Sequence, residues 1–208
     1  MDELDIKLER PLFYKSPYGL RFEIGPPDVE IWQEDNKTLN SEYFSLALKR
    51  AISIFRSSFQ TSDEIEVVYQ IGSDGRKKIK KRSFIFSQFA GIEKAKFVFS
   101  EHRDIYEENI EFKRECMKRV TFSNITAADI DVEQLLTAAI NSDFRTRFPH
   151  FKGECYIINK SKQIVMNLYD DRGMDVVSTS KAYLQDLYKS HSHIILDYDK
   201  EKIESMFS

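Results

Sequence analysis

Four clusters in the chain carry residue types that could do chemistry. Asp170-Asp171-Arg172-Gly173 sets two carboxylates beside a guanidinium. Such a pair can hold a divalent cation or act as acid and base, with Arg172 stabilising negative charge. It is equally what a turn requires, because Asp starts turns through its side-chain acceptor and Gly accepts positive φ. His191-Ser192-His193, with Asp197 and Asp199 just beyond, places ligand-type side chains close together. On a strand the two imidazoles would share a face and could share a metal. At the end of a helix they would instead complement the dipole and the last carbonyls.

The other two clusters are runs of charge. Arg76-Lys77-Lys78-Ile79-Lys80-Lys81-Arg82 could release counterions on docking to a phosphate backbone, with Phe84 and Phe86 near enough to stack on bases. A solvated edge strand protected by lysines gives the same pattern. From Glu101 to Glu115 the chain is rich in acids, including Asp104, Glu107, Glu108 and Glu111. These form either a solvated face paired with Lys113 and Arg114 or a docking surface for a basic partner. No Walker loop, nucleophile elbow or HExxH helix occurs, and no serine or cysteine nucleophile can be assigned. No cofactor is expected.

The elements that must position these groups follow from periodicity. Leu20, Phe22 and Ile24 alternate with polar residues as in a half-buried strand, which Gly25-Pro26-Pro27 stops. Over 41–59 the stripe Phe44, Leu48, Ala51, Phe55 and Phe59 predicts a helix capped by Asn40 or Ser41. Ile65, Val67, Tyr69 and Ile71 alternate again, and Asp74-Gly75 suggests a hairpin into 77–86. Strands are expected at 96–99 and 120–125, with a loop or short helix over 101–118. Asp131-Val132-Glu133-Gln134 resembles a capping box that opens a helix. The block from Gly153 to Asp199 is the best formed. It reads as strands at 155–159, 163–169 and 174–177, then a helix capped by Thr179 or Ser180, then a short final helix.

The expected fold is α+β: an antiparallel or mixed sheet with helices packed on one face, in one domain spanning 1–208. Both halves, 20–100 and 118–208, read as strand, helix, hairpin, which could mark a duplication or only the economy of covering one sheet face. With 208 residues, 41% apolar and 31% charged, the composition is that of an ordinary globular chain able to bury a core. The 34 acidic and 31 basic residues leave a net charge of −3, so a whole-protein field for capturing nucleic acid is not expected. Cys116 and Cys155 read as reduced thiols. The charged N-terminus is unlike a signal peptide and no apolar stretch is long enough to span a membrane, so a cytoplasmic location is expected.

Several strings resemble an uncharacterised family of bacterial proteins, a domain of unknown function common in Bacillus-type bacteria. They are residues 19–24, 78–86, Gly153-Glu154, 156–160, Tyr169-Asp-Asp-Arg-Gly-Met-Asp-Val176 and Leu196-Asp-Tyr-Asp-Lys-Glu-Lys-Ile203, the last two being the most specific. The resemblance implies a bacterial cytosolic protein and carries over no catalytic residues. The compact α+β build is also similar to many immunity proteins of bacterial toxin systems, an analogy of size and fold. The leading expectation is a non-enzymatic protein-binding module, immunity- or antitoxin-like, that contacts another protein through Asp170, Asp171 and Arg172 or through the acidic stretch. A metal-dependent hydrolase or nuclease built on Asp170, Asp171, His191 and His193 is one alternative. Nucleic-acid binding through 76–82 is the other.

Overall fold

The computed structural model describes residues 6–73, 76, 78–89, 95–103 and 116–208. The fold is α+β. Seven strands form one antiparallel sheet: β1 (Tyr18–Glu23), β2 (Glu64–Gly72), β3 (Lys96–Arg103), β4 (Cys116–Thr126), β5 (Glu154–Asn159), β6 (Ile164–Leu168) and β7 (Gly173–Ser178). Their order across the sheet is β1-β7-β6-β5-β2-β4-β3. The helices α1 (Ser41–Ser58), α2 (Val132–Ile140), α3 (Ala182–His191) and α4 (Lys200–Phe207) all add apolar side chains to the core on one sheet face.

Sequence period decides which face each residue serves. Leu20 and Phe22 of β1, Val67 and Tyr69 of β2, Val120 and Phe122 of β4, and Met174 and Val176 of β7 all join the helix-side core. α1 starts where Asn40 accepts a hydrogen bond from Glu42 N, and buries Phe44, Ala51 and Phe55 as the stripe predicts. α2 starts where Asp131 accepts from Gln134 N. α3 lacks the expected cap. Lys181 stands at its N-cap without a side-chain bond, and Thr179 donates instead to Gln163 Oε1.

The expected hairpin from β2 into 77–86 does not form. β2 is a central strand that pairs with β4 on one side and β5 on the other, so no place beside it is free. Residues 84–88 are a 3₁₀ helix in which Ile85 and Phe86 are buried and Phe84 lies against Phe151. Asp74-Gly75 and Lys77 lie outside the described residues. So does 104–115, where the strands on either side run further than expected: β3 reaches Arg103 and β4 begins at Cys116.

The second sheet face is covered by the N-terminal segment. Ile6 and Leu12 bury against Val68, Tyr156, Ile158, Val165 and Val177 in a separate small core. A row of polar side chains pins the segment down. Gln70 donates to Leu8 O (3.2 Å), Arg10 donates to Asn167 Oδ1 (3.2 Å), and Phe13 N donates to Asp175 Oδ2 (3.2 Å). The row continues sideways, since Gln70 also donates to Glu154 (2.6 Å) and accepts from Arg119 (2.7 Å). Buried polar groups of this kind stabilise only when all are satisfied, so the row fixes where the segment crosses the sheet. Among the described residues, no helix is long and apolar enough to cross a membrane.

Candidate functional site

The turn between β6 and β7 is built by its own aspartates. Asp170 Oδ1 accepts from Arg172 N (2.8 Å), and Oδ2 accepts from Arg172 Nε (3.1 Å) and Nη2. Asp171 turns the other way, under α1, where its Oδ2 accepts from Tyr43 Oη (2.7 Å). Burial holds the Asp171 carboxyl above its ordinary range, and burial with the Asp171 bond raises the Tyr43 hydroxyl likewise. Both aspartates are buried, whereas the Arg172 side chain is 73% exposed. The two carboxylates therefore serve the turn and its anchorage to α1, and Arg172 is the group the turn presents.

Beside the turn sits a loop, 141–150, that the sequence did not single out. Asp143 Oδ2 lies 3.9 Å from Arg172 Nη2. Asn141, 1% exposed, closes the neck by donating to Pro149 O (2.9 Å) and accepting from Arg147 Nε (3.0 Å). The Arg147 guanidinium carbon sits over the Phe44 ring, 3.8 Å from its centre, and Phe144 packs edge-on to the same ring at 4.8 Å. So tied, the loop holds Phe148 at 77% exposure, with Arg145 and Asp143 also exposed. Among the described residues Phe148 is the most exposed aromatic side chain that carries no polar atom.

The residues considered for a metal divide among different partners. Asp170 and Asp171 are committed as above. His191 Nε2 is 2.9 Å from Ser57 Oγ, and both imidazoles border an open groove of about 350 Å³ between α1 and α3. Asp199 accepts from Tyr14 Oη (2.7 Å) and from Arg21 Nη1 (3.0 Å) beneath the N-terminal segment. Among the described residues no three His, Cys, Asp or Glu side chains gather as metal ligands. Asp197 is exposed in the 3₁₀ turn before α4.

Arg21 also meets Asp175 (Nε to Oδ1, 3.3 Å), whose side chain is 1% exposed. Burial pushes the Asp175 carboxyl up to about 6, against the Phe13 N–H bond and the Arg21 charge, which favour ionisation. The ionised form is thus disfavoured in the folded chain relative to the unfolded one. This contribution is absent below about pH 4, grows as pH rises from 4 to 6, and is fully destabilising above 6. Urea unfolding should show wild type losing about 2–3 kcal/mol relative to Asp175→Asn between pH 4 and pH 7. Parallel pH profiles for the two proteins would refute it.

In the basic run, Ile79 is buried while Arg76, Lys78, Lys80, Lys81 and Arg82 are exposed. Phe84 and Phe86, expected to stack on bases, are taken up by the packing described above. Lys78 and Lys81 reach over Phe99 and Phe97 of β3, at 5.8 and 4.6 Å, so these rings are covered by the chain's own cations. Lys77 and the acidic candidates Asp104, Glu107, Glu108 and Glu111 lie outside the described residues.

A family profile described as a domain of unknown function (DUF3885) matches residues 2–199. The chain belongs to this family. It is also 23% identical over 196 residues to the uncharacterized protein YnaE of Bacillus subtilis (strain 168), covering 86% of each chain. No solved structure matches. The match takes in the 170–173 turn, the 141–150 loop and the groove alike, and none of these relatives assigns a reaction to them. Sequence reasoning reached the turn but passed over Asn141, Arg147, Phe148 and Ser57. For Ser57 a signal existed: Leu46, Lys49, Arg50, Ser53 and Ser57 recur at helical spacing on one side of α1.

Proposed function

We propose that the protein is a non-enzymatic protein-binding module whose contact surface combines the 141–150 loop with Arg172. The observation that carries this reading is Phe148, 77% exposed on a loop closed by the buried Asn141. An anchor of this kind binds with little ordering cost because its backbone is already fixed. Arg145 and Arg172 beside it outnumber Asp143, so the partner that fits is an apolar pocket rimmed by carboxylates. The finer assignment, an immunity- or antitoxin-like role, draws its support from chain size and the α+β build.

The test is binding to the captured partner, measured for substituted proteins. Phe148→Ala is expected to weaken the complex about 30-fold or more, the size of a central aromatic anchor, and Arg172→Glu about tenfold or more. Tyr198, 86% exposed on the 3₁₀ turn before α4, serves as control: Tyr198→Ala should leave affinity unchanged. Equal affinity for wild type and Phe148→Ala would remove the surface from consideration.

A further inference from the structure

The open groove between α1 and the 3₁₀ turn Ser192–Ile194 has polar lining of one chemical kind. Its polar side chains are Lys49, Arg50, Ser53, Ser190, His191 and His193, and no Asp or Glu lines it. Every one of these can donate a hydrogen bond. In a chain with 34 acidic and 31 basic residues, a depression lined by two cations and no carboxylate runs against the average composition.

Most of these side chains are also uncommitted, the exceptions being His191, whose Nε2 meets Ser57 Oγ at 2.9 Å, and Arg50. Lys49, Ser53, Ser190 and His193 make no hydrogen bond or ion pair among the described residues. Arg50 is anchored through Nη1 alone, which donates to Gly25 O (3.0 Å) and Glu23 O (3.4 Å). Its Nε and Nη2 have no partner among the described residues. Burial and the nearby His193 charge favour the neutral form of His191, so the permanent charges are those of Lys49 and Arg50. Leu46 and Ile194 supply an apolar patch to the same groove.

We infer that this groove is a binding site for a small phosphomonoester. The cations of Lys49 and Arg50 match a dianionic head, Ser53, Ser190 and His193 take its remaining oxygens, and Leu46 with Ile194 receives the organic body. A volume of about 350 Å³ falls at the small end of ligand sites, which suits a nucleoside monophosphate better than a larger cofactor.

The experiment titrates the ¹⁵N-labelled full chain with AMP, inorganic phosphate and adenosine at constant ionic strength. AMP and phosphate are expected to give saturable amide shifts centred on 49–53 and 190–194, with AMP the tighter, and adenosine none. Lys49→Glu, at an exposed position without a partner, should weaken AMP binding about tenfold or more, and Lys49→Arg should keep it within about threefold. Shifts absent from these residues, an equal response to adenosine, or unchanged affinity in Lys49→Glu would each overturn the assignment. The undisturbed remainder of the Lys49→Glu spectrum verifies that the variant is folded.

Discussion

Replacing Arg21 by leucine is expected to destabilise the fold by about 3–5 kcal/mol at neutral pH, the cost of stranding a buried charge. Arg21 bridges two carboxylates: its Nε is 3.3 Å from Asp175 and its Nη1 is 3.0 Å from Asp199. Its guanidinium also lies near the Tyr14 and Tyr169 rings, at 5.3 and 5.7 Å, so the loss is of packing as well as charge. Asp175 has no route to solvent and would have to ionise unpaired or take up a proton. The penalty should therefore shrink on going from pH 7.5 to pH 5, where protonation of Asp175 becomes easy. Pairing the change with Asp175→Asn should recover part of the loss, because the stranded charge is gone. Urea unfolding of the single and double variants measures both effects. A loss below about 1 kcal/mol for Arg21→Leu would mean that the network is incidental to stability.

The second large effect concerns Gly153, at the entry to β5. Its φ is +94°, a backbone conformation that L side chains rarely adopt, and a Cβ there would strike the carbonyl oxygen of Gln70. That carbonyl belongs to β2, a central strand held on both sides, so it cannot move aside as a side-chain tip could. Gly153→Ala should cost about 3 kcal/mol or more, from backbone strain together with overpacking. Disturbing Gln70 also loosens its bond to Leu8 O, so the N-terminal segment should become more open to proteolysis. Limited proteolysis beside thermal unfolding checks both consequences. Wild-type behaviour in either measurement would show that β2 yields at this point.

What could be read from the residues was whatever depended on neighbours in sequence. α1 was legible because its apolar stripe recurs at helical spacing from Phe44 to Phe55, and β5, β6 and β7 because polar turns separate short apolar runs. The 170–173 turn was legible too, as a turn. What its carboxylates do was not, since Asp171 spends its acceptor on Tyr43, 128 residues away. The turn signal Asp74-Gly75 misled because a hairpin needs a free edge beside β2, and β2 is paired with β4 on one side and β5 on the other. Phe148 was invisible for a related reason. Nothing local marks it as exposed, and only the Asn141 bond to Pro149 O and the stacking of Arg147 on Phe44 fix the loop that displays it. The groove likewise joins Lys49 and Arg50 to His191 and His193 across about two thirds of the chain.

Site-directed photocrosslinking tests whether the surface around Phe148 is the one that meets a protein partner. A photoreactive phenylalanine analogue is placed at position 148, and in a separate protein at the equally exposed Tyr198. Each protein is illuminated with the captured partner. One discrete crosslinked product is expected from position 148 and none from 198, with formation suppressed by excess wild type but not by excess Phe148→Ala. Absence of a product at 148, or its equal suppression by both competitors, would contradict it.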